Sequence, residues 1–464
     1  MVSKLSRRAV LGGGIAAAAV APFAGRVGAA DAEVLDLKSR ETAFDFGGGL
    51  TRGVVSTLDG APPPVIRLKR NQEARITLEN GLPDYTTMHW HGIRLPNAMD
   101  GVPYLTQLPL LEGDRFEYRF ASPDAGTFWY HPHCMTMRQM AQGLTGILIV
   151  EEDEDPGFDL DLPLNLKDFR LGNDAELIDY WTPRGAARGG TLGNVMTTNW
   201  QRAPRYDAPA GGLVRLRLAA TDTTRIYRLA LPEGSAGRII AWDGHPVEEE
   251  VPWPTTDAPL FIGPGQRVDI ALLMPAFEGA EISLLGMHGL EPMTFATLRA
   301  VGRSLGRDAR DIPRLPPNPV PEPDLANVEL REIGFGWAPD DLIPDNGLCG
   351  SLGYTFWSIN RDPWPGDAVE GTAAVATLEL GKTYVLRMRN ESPNTHPIHL
   401  HGLVFKPIRS NQGPVPANWT DTILLRKNEI VDAVLVADNP GDWAFHCHII
   451  EHQKTGLSGY IRVV

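Results

Sequence analysis

Short runs in which apolar and polar side chains alternate recur along this chain. Arg115-Phe116-Glu117-Tyr118-Arg119-Phe120 is one, and Leu213-Val214-Arg215-Leu216-Arg217-Leu218 is another. Alternation at period two puts every second side chain on one face, which marks a strand with a buried side. The spacing of an amphipathic helix is scarce, while Gly (48) and Pro (39) return at short intervals as turn formers. The pattern predicts an all-β chain of sandwiches, and 464 residues leave room for several of them.

The pattern also repeats. Asn71-Gln72-Glu73-Ala74-Arg75-Ile76-Thr77-Leu78-Glu79-Asn80 resembles Gly381-Lys382-Thr383-Tyr384-Val385-Leu386-Arg387-Met388-Arg389-Asn390. Each closing Asn leads to a His-x-His-Gly, His89-Trp90-His91-Gly92 and His399-Leu400-His401-Gly402. Farther on, Gly126-Thr127-Phe128-Trp129-Tyr130-His131-Pro132-His133 matches Gly441-Asp442-Trp443-Ala444-Phe445-His446-Cys447-His448, and Gly143-Leu144-Thr145-Gly146 echoes Gly456-Leu457-Ser458-Gly459. The first and last parts are two copies of one unit. A middle part keeps the strands, from Gly211 to Ala219 and Gly265 to Met274, but has Trp242-Asp243-Gly244-His245 in place of a histidine pair. The expected division is an export signal over 1–30, a first sandwich over 31–155, a middle one over 156–300, a Pro- and Arg-rich linker over 301–323 and a last sandwich over 324–464.

Charge and termini narrow the setting. The net charge of −14, with no basic run beyond the extreme N-terminus, excludes a nucleic-acid partner. Ser6-Arg7-Arg8-Ala9-Val10-Leu11 precedes an Ala/Gly-rich apolar stretch from Gly12 to Ala24, with small residues after it, the form of a twin-arginine export signal. That stretch is short for a bilayer span, so the expectation is a periplasmic or secreted protein without stable membrane insertion. Three cysteines are too few for a disulfide scaffold. Cys134 and Cys349 could pair in an oxidising compartment, or remain apart.

The histidines carry the chemistry. Four His-x-His pairs fall in a chain with only 12 histidines. On a strand, residues i and i+2 face the same way, so each pair offers two imidazoles to one site. Eight imidazoles from two related sandwiches could ring a cluster between them. In an extended His446-Cys447-His448 the thiolate faces away from both histidines and builds a separate site with His396 and His452. Two imidazoles and a thiolate form the ligand set of a blue copper site. The first copy lacks it, having Thr86, Pro132 and Met137 at the matching positions. Structural zinc sites take four, usually Cys-rich, ligands, a spacing this chain does not offer.

His89-Trp90-His91-Gly92, His131-Pro132-His133, His396-Pro397-Ile398-His399-Leu400-His401-Gly402 and His446-Cys447-His448-Ile449-Ile450-Glu451-His452 resemble the four signature motifs of the three-domain multicopper oxidases, which include laccases and bacterial cuprous oxidases. The resemblance spans about residues 40 to 464. It implies three cupredoxin-like Greek-key domains and four copper ions. The type 1 copper would take His396, Cys447 and His452, and the type 2 copper His89 and His399. The type 3 pair would take His91, His131, His133, His401, His446 and His448. The axial type 1 position falls on Leu457, which cannot coordinate and implies a more oxidising copper. Gln453 stands where many relatives have an acid, so Asp100 is the residue expected to relay protons, unless it only caps the turn before Gly101. Glu451 is expected to be structural.

The implied activity is one-electron oxidation of a donor coupled to four-electron reduction of dioxygen to water. The donor would approach the imidazole of His452 or His396, and its electron would pass from Cys447 through His446 or His448 to the cluster. Phenols and aromatic amines are the expected donors. The alternative is a cuprous or other metal ion, for which the only candidate soft cluster is Met135, Met137 and Met140. A non-catalytic copper-binding scaffold is the alternative of another class. Copper nitrite reductases share the fold but are shorter and lack the four pairs.

Overall fold

The computed structural model describes residues 33–339, 349–367 and 371–464. The export signal expected over residues 1–30 lies outside the described residues. Among the described residues, six sheets stand as three pairs: two of four strands, then one of six with one of five, then two of five. The pairs share one wiring. Glu33–Asp45 runs parallel to Ala74–Asn80, which pairs antiparallel with Arg115–Phe120. Leu160–Phe169, Leu213–Ala220 and Arg267–Leu273 repeat that order, as do Glu329–Trp337, Thr383–Asn390 and Ile430–Val436. Parallel neighbours that are not consecutive require crossovers between sheets, as a Greek-key sandwich has. The fold is the expected all-β, cupredoxin-like one.

Alternation is visible in Ala74–Asn80, where every second residue is buried. Leu213–Ala220 departs from it, being buried throughout. Its outward arginines are covered by the first sandwich and by acids on either side. Arg215 meets Glu152 and Asp269, each at 2.7 Å, and Arg217 meets Asp161 at 2.6 Å. Buried charges persist only when paired in this way. One apolar core runs without a break through the first and third sandwiches, from Trp90 and Phe128 to Leu400 and Trp443, while the middle sandwich has its own around Leu216 and Ile270.

The two copies also agree in register. His89 pairs with His131 and His399 with His446 across antiparallel strands. Tyr130 lies opposite Gly146, and Phe445 opposite Gly459. A short helix follows each second pair, Thr136–Ala141 in the first copy and Ile450–Gln453 in the third. Gly92 explains the glycine of the motif: its φ is +86°, and a Cβ there would fall 2.3 Å from Arg267 Nη2. Cys134 and Cys349 are disulfide-bonded, closing 215 residues and tying the turn after His133 to the third sandwich. Between Val301 and Glu329 the only regular element is a turn over Ala309–Asp311. That segment is pinned rather than loose, since Asn318 Nδ2 donates to Ala125 O at 3.0 Å and Gly244 O at 3.1 Å. Among the described residues no helix is long and apolar enough to cross a membrane.

Candidate metal centre

Strand Gly441–Cys447 lies beside strand His396–Leu400, with Ile398 opposite Cys447 and His399 opposite His446. Neighbours on a strand point to opposite faces, so Cys447 turns from the side that His446 takes. Its Sγ lies 3.6 Å from His396 Nδ1 and 3.5 Å from His452 Nδ1, and those nitrogens are 3.0 Å apart. The far nitrogens are engaged elsewhere: His396 Nε2 lies 2.8 Å from Ser392 Oγ, and His452 Nε2 donates to Arg188 O at 2.5 Å. Both rings therefore aim Nδ1 at the sulfur. Burial lowers the pKa of His396, and brings that of His452 down to about 3, so both stay neutral. Burial also pushes the Cys447 thiol up, and a thiolate here needs a cation beside it. Leu457 is wholly buried, and its carbonyl accepts from Cys447 N at 3.0 Å.

On the opposite face the eight remaining motif histidines form a buried ring between the first and third sandwiches. Ligand atoms come within 4.8 Å of one another in three sets, His89 with His399 and His401, His89 with His91 and His131, and His133 with His401 and His446. His448 joins by ring contact, its centroid 5.0 Å from that of His91 and 5.2 Å from that of His131. The backbone orients several rings. Nδ1 of His89 donates to Asp100 O (2.9 Å), of His399 to Asp421 O (3.0 Å), of His131 to Pro132 O (3.1 Å) and of His446 to Cys447 O (2.9 Å). Nε2 of His89, His131 and His399, Nδ1 of His91 and both nitrogens of His448 are buried without a protein partner. Buried polar atoms are rarely left so, and this many converging nitrogens fit metal ions. Burial holds His131, His133, His446 and His448 far below the usual imidazole range and His401 at about 3, the neutral form that a ligand needs. Neutral imidazoles beside one thiol suit copper, and no closed set of four cysteine-rich ligands is present among the described residues.

Two carboxylates brace the ring. Asp100 Oδ2 accepts from His401 Nδ1 at 2.9 Å, and Oδ1 lies 3.2 Å from His89 Nδ1, which donates instead to the Asp100 carbonyl. Burial would raise the Asp100 carboxyl, but His401 and His89 hold it below the usual range. The sequence had not singled out Asp421. Its Oδ1 lies 3.1 Å from His91 Nε2, leaving Nδ1 of that ring for the interior. Arg267 grips it by two bonds, 2.9 Å to Oδ1 and 2.6 Å to Oδ2. Arg267 also donates to Thr127 O, Gly265 O and Asp243 O, so one buried guanidinium touches all three sandwiches. No spacing signal marks either residue, because the contact joins strands 154 residues apart.

Other expected positions fall as follows. Glu451 accepts from Thr191 Oγ1 at 2.7 Å, Thr191 N, Thr182 N and Thr224 Oγ1, which anchors the loop bearing Arg188. Gln453 Nε2 lies 3.4 Å from His133 Nε2. Trp242-Asp243-Gly244-His245 makes a two-residue hairpin turn with positive φ at Asp243 and Gly244, and offers no ligand pair. His452 and His396 are both fully buried, so a donor approaching either imidazole meets the residues that cover it. Arg188 and Ser392 stand over them.

Residues 39–155 and 351–464 match two family descriptions, each of multicopper oxidases. The chain is 29% identical to multicopper oxidase MmcO of Mycobacterium tuberculosis over 96% of this chain and 88% of that protein. The fold superposes on the crystal structure of a multi-copper oxidase from Pseudomonas thermotolerans with a TM-score of 0.83, 37% identity and coverage of 94% of this chain and 100% of the other. A Pseudomonas parafulva multi-copper oxidase gives 0.80, 38%, 92% and 99%.

Proposed function

The chain belongs to the multicopper oxidase family and is a copper-dependent oxidoreductase, and we propose that it is of laccase type, oxidising phenols or aromatic amines one electron at a time while reducing dioxygen to water. In this reading the first sandwich spans 31–155, the middle one 156–300 and the last 324–464, joined by 301–323. His396, Cys447 and His452 would hold the type 1 copper, to which Leu457 would offer no ligand atom. His89 and His399 hold the type 2 copper, and His91, His131, His133, His401, His446 and His448 the type 3 pair. Bound at these positions, four coppers supply single-electron acceptance at the thiolate and reduction of dioxygen within the histidine ring.

The chain's own residues do the rest. Cys447 is joined through its backbone to His446 and His448, whose rings lie on the other side of the strand, so a covalent path links the two sites. Burial of both sites keeps bulk water from the ligand nitrogens. Asp100, whose Oδ2 is bonded by His401 and whose Oδ1 has no hydrogen-bond partner, is the group placed to take up and pass on a proton at Oδ1. The Cys134–Cys349 disulfide favours export to an oxidising compartment, as a twin-arginine signal would provide.

One observation carries the donor class. Met137 and Met140 are buried in an apolar cluster with Trp129 and Ile450 and fill space there, which leaves half-buried Met135 alone of the three to present a thioether, too few for a soft cuprous site. Oxygen uptake by copper-loaded protein tests the reading, with a methoxyphenol and then cuprous ion as donors and metal-free protein as control. Uptake with the phenol is expected. Uptake with cuprous ion alone would replace the laccase reading by that of a metal-ion oxidase, and uptake with neither would favour the scaffold reading.

A further inference from the structure

We propose that electrons reach the His396–Cys447–His452 site through a stacked tryptophan pair, Trp337 and Trp357, and that the exposed part of the Trp337 ring is where an aromatic donor docks. The inference rests on the reading of those three ligands as a copper site.

Neither imidazole offers a free edge. His452 Nε2 is covered by the Arg188 carbonyl, His396 Nε2 is engaged by Ser392 Oγ, and both rings are fully buried. What does lie against both of them is Trp357. Its ring centroid is 4.6 Å from that of His452 and 4.9 Å from that of His396. Trp357 is itself wholly buried and fixed by a 2.7 Å bond from Nε1 to Ala186 O. Its other face is covered by Trp337, with ring centroids 4.1 Å apart and planes inclined by 16°. The backbone enforces the stack, because the two residues are direct partners on the antiparallel strands Glu329–Trp337 and Trp357–Ile359. Trp337 is 43% exposed, so the aromatic column begins at solvent and ends at the ligands.

The occupant that suits this surface is planar and aromatic. An indole face attracts an offset-stacked ring, and it offers no oxygen, sulfur or nitrogen lone pair to a metal ion. In the step proposed, a phenol stacked on Trp337 loses one electron, and its hydroxyl proton passes to solvent water. The oxidant would be a cupric ion held by His396, Cys447 and His452, which would take up that one electron. Both indoles end as they began, having served as the bridge for the electron.

The test compares Trp337→Leu and Trp337→Phe with the parent chain, with and without copper. In metal-free protein, calorimetry measures the binding of dimethoxybenzene, an aromatic probe with no phenolic proton to lose. In copper-loaded protein, anaerobic mixing with subsaturating dimethoxyphenol follows the bleaching of the blue absorption, and a redox titration measures the potential of the blue site. For Trp337→Leu, probe binding and bleaching should both fall roughly fivefold, the worth of one aromatic stack. Trp337→Phe should restore most of both, and the potential should not move. Parent-like binding and bleaching in the Leu variant would overturn the route. A copper-treated parent chain with no blue absorption would overturn the copper reading beneath it instead.

Discussion

Substituting Asp421 by Asn tests whether the brace under the histidine ring is electrostatic. The carboxylate and Arg267 are both fully buried and share two hydrogen bonds, so the substitution leaves a guanidinium without its main counter-charge. Breaking a buried pair from one side costs about 3–5 kcal/mol. Here the lower end applies, about 3 kcal/mol, because Arg267 keeps three carbonyl acceptors and Asp243 Oδ1 at 3.3 Å. Asp243 is no full replacement, since its nearest carboxylate oxygen is 3.3 Å from the Arg267 guanidinium, whereas Asp421 makes two shorter bonds to it. The sign of the pH dependence follows from the native state. Burial would raise the Asp421 carboxyl, but Arg267, His91 and His399 hold it well below the ordinary value of 3.8. Its stabilisation is present above the unfolded value and lost only as pH falls through the depressed native one. Urea denaturation of metal-free protein should show the deficit of about 3 kcal/mol at both about pH 6 and about pH 8. Copper affinity of the ring should fall about 10- to 100-fold, as for lost outer-sphere partners elsewhere. Equal midpoints for the two proteins at these pH values, with unaltered copper affinity, would refute the argument.

Cys447→Ser should abolish the blue absorption and donor-dependent oxygen uptake while leaving copper at the eight-histidine ring, as metal analysis and electron paramagnetic resonance can separate. His245 is buried, with Asn318 Nδ2 donating to its Nδ1 at 3.2 Å, and burial lowers it from 6.5 to about 4. The unfolded chain therefore takes up the proton first, and stability falls as pH drops from 6.5 towards 4. His245→Gln should flatten that loss by up to about 3 kcal/mol in denaturant titrations across the range. Opening the Cys134–Cys349 bond, which closes 215 residues, should cost about 5 kcal/mol, read as a lower denaturation midpoint for Cys349→Ser against the parent.

Local periodicity and internal repetition made much of the fold legible. Ala74–Asn80 and Thr383–Asn390 alternate, end in matching asparagines and occupy equivalent sheet positions. In both copies the closing asparagine has the same task, as Asn80 Nδ2 bonds Leu110 O and Asn390 Nδ2 bonds Leu425 O. The convergence of the histidines was readable for a related reason, since the period of a strand sends His446 and Cys447 to opposite faces. Contacts between sandwiches left no such trace. Arg215 and Arg217 read as the wet face of a strand and are buried, because a neighbouring sandwich covers that face. Asp421 and Arg267 are single residues in unremarkable strings, and only docking brings them together. The covering of His452 is legible in neither the ligand motif nor the loop over it, since Arg188 contributes its carbonyl and not its side chain.

The same contacts explain what a sandwich without a histidine pair does beside two that have them. Its turn before Arg267–Leu273, tied to Ala220 O by Gly265 N, brings Gly265 so close to the ring that a Cβ there would lie 3.1 Å from both His91 and His448. Arg267, two residues on, fixes Asp421 and thereby His91. On the thiolate side, Thr182, Thr191 and Thr224 hold Glu451 within the short helix that carries His452, and Thr223 O accepts from Ile450 N. The chain of contacts therefore runs from the middle sandwich to a ligand of each candidate site. The middle sandwich, which carries no ligand pair, thus helps to set the ring angles of ligands carried by the other two. A buried guanidinium would be a costly way to hold three sandwiches together if packing alone were needed, because apolar residues of similar volume do that as well or better. What it adds beyond packing is the orientation it imposes on His91, whose Nδ1 is left for the interior while Nε2 meets Asp421.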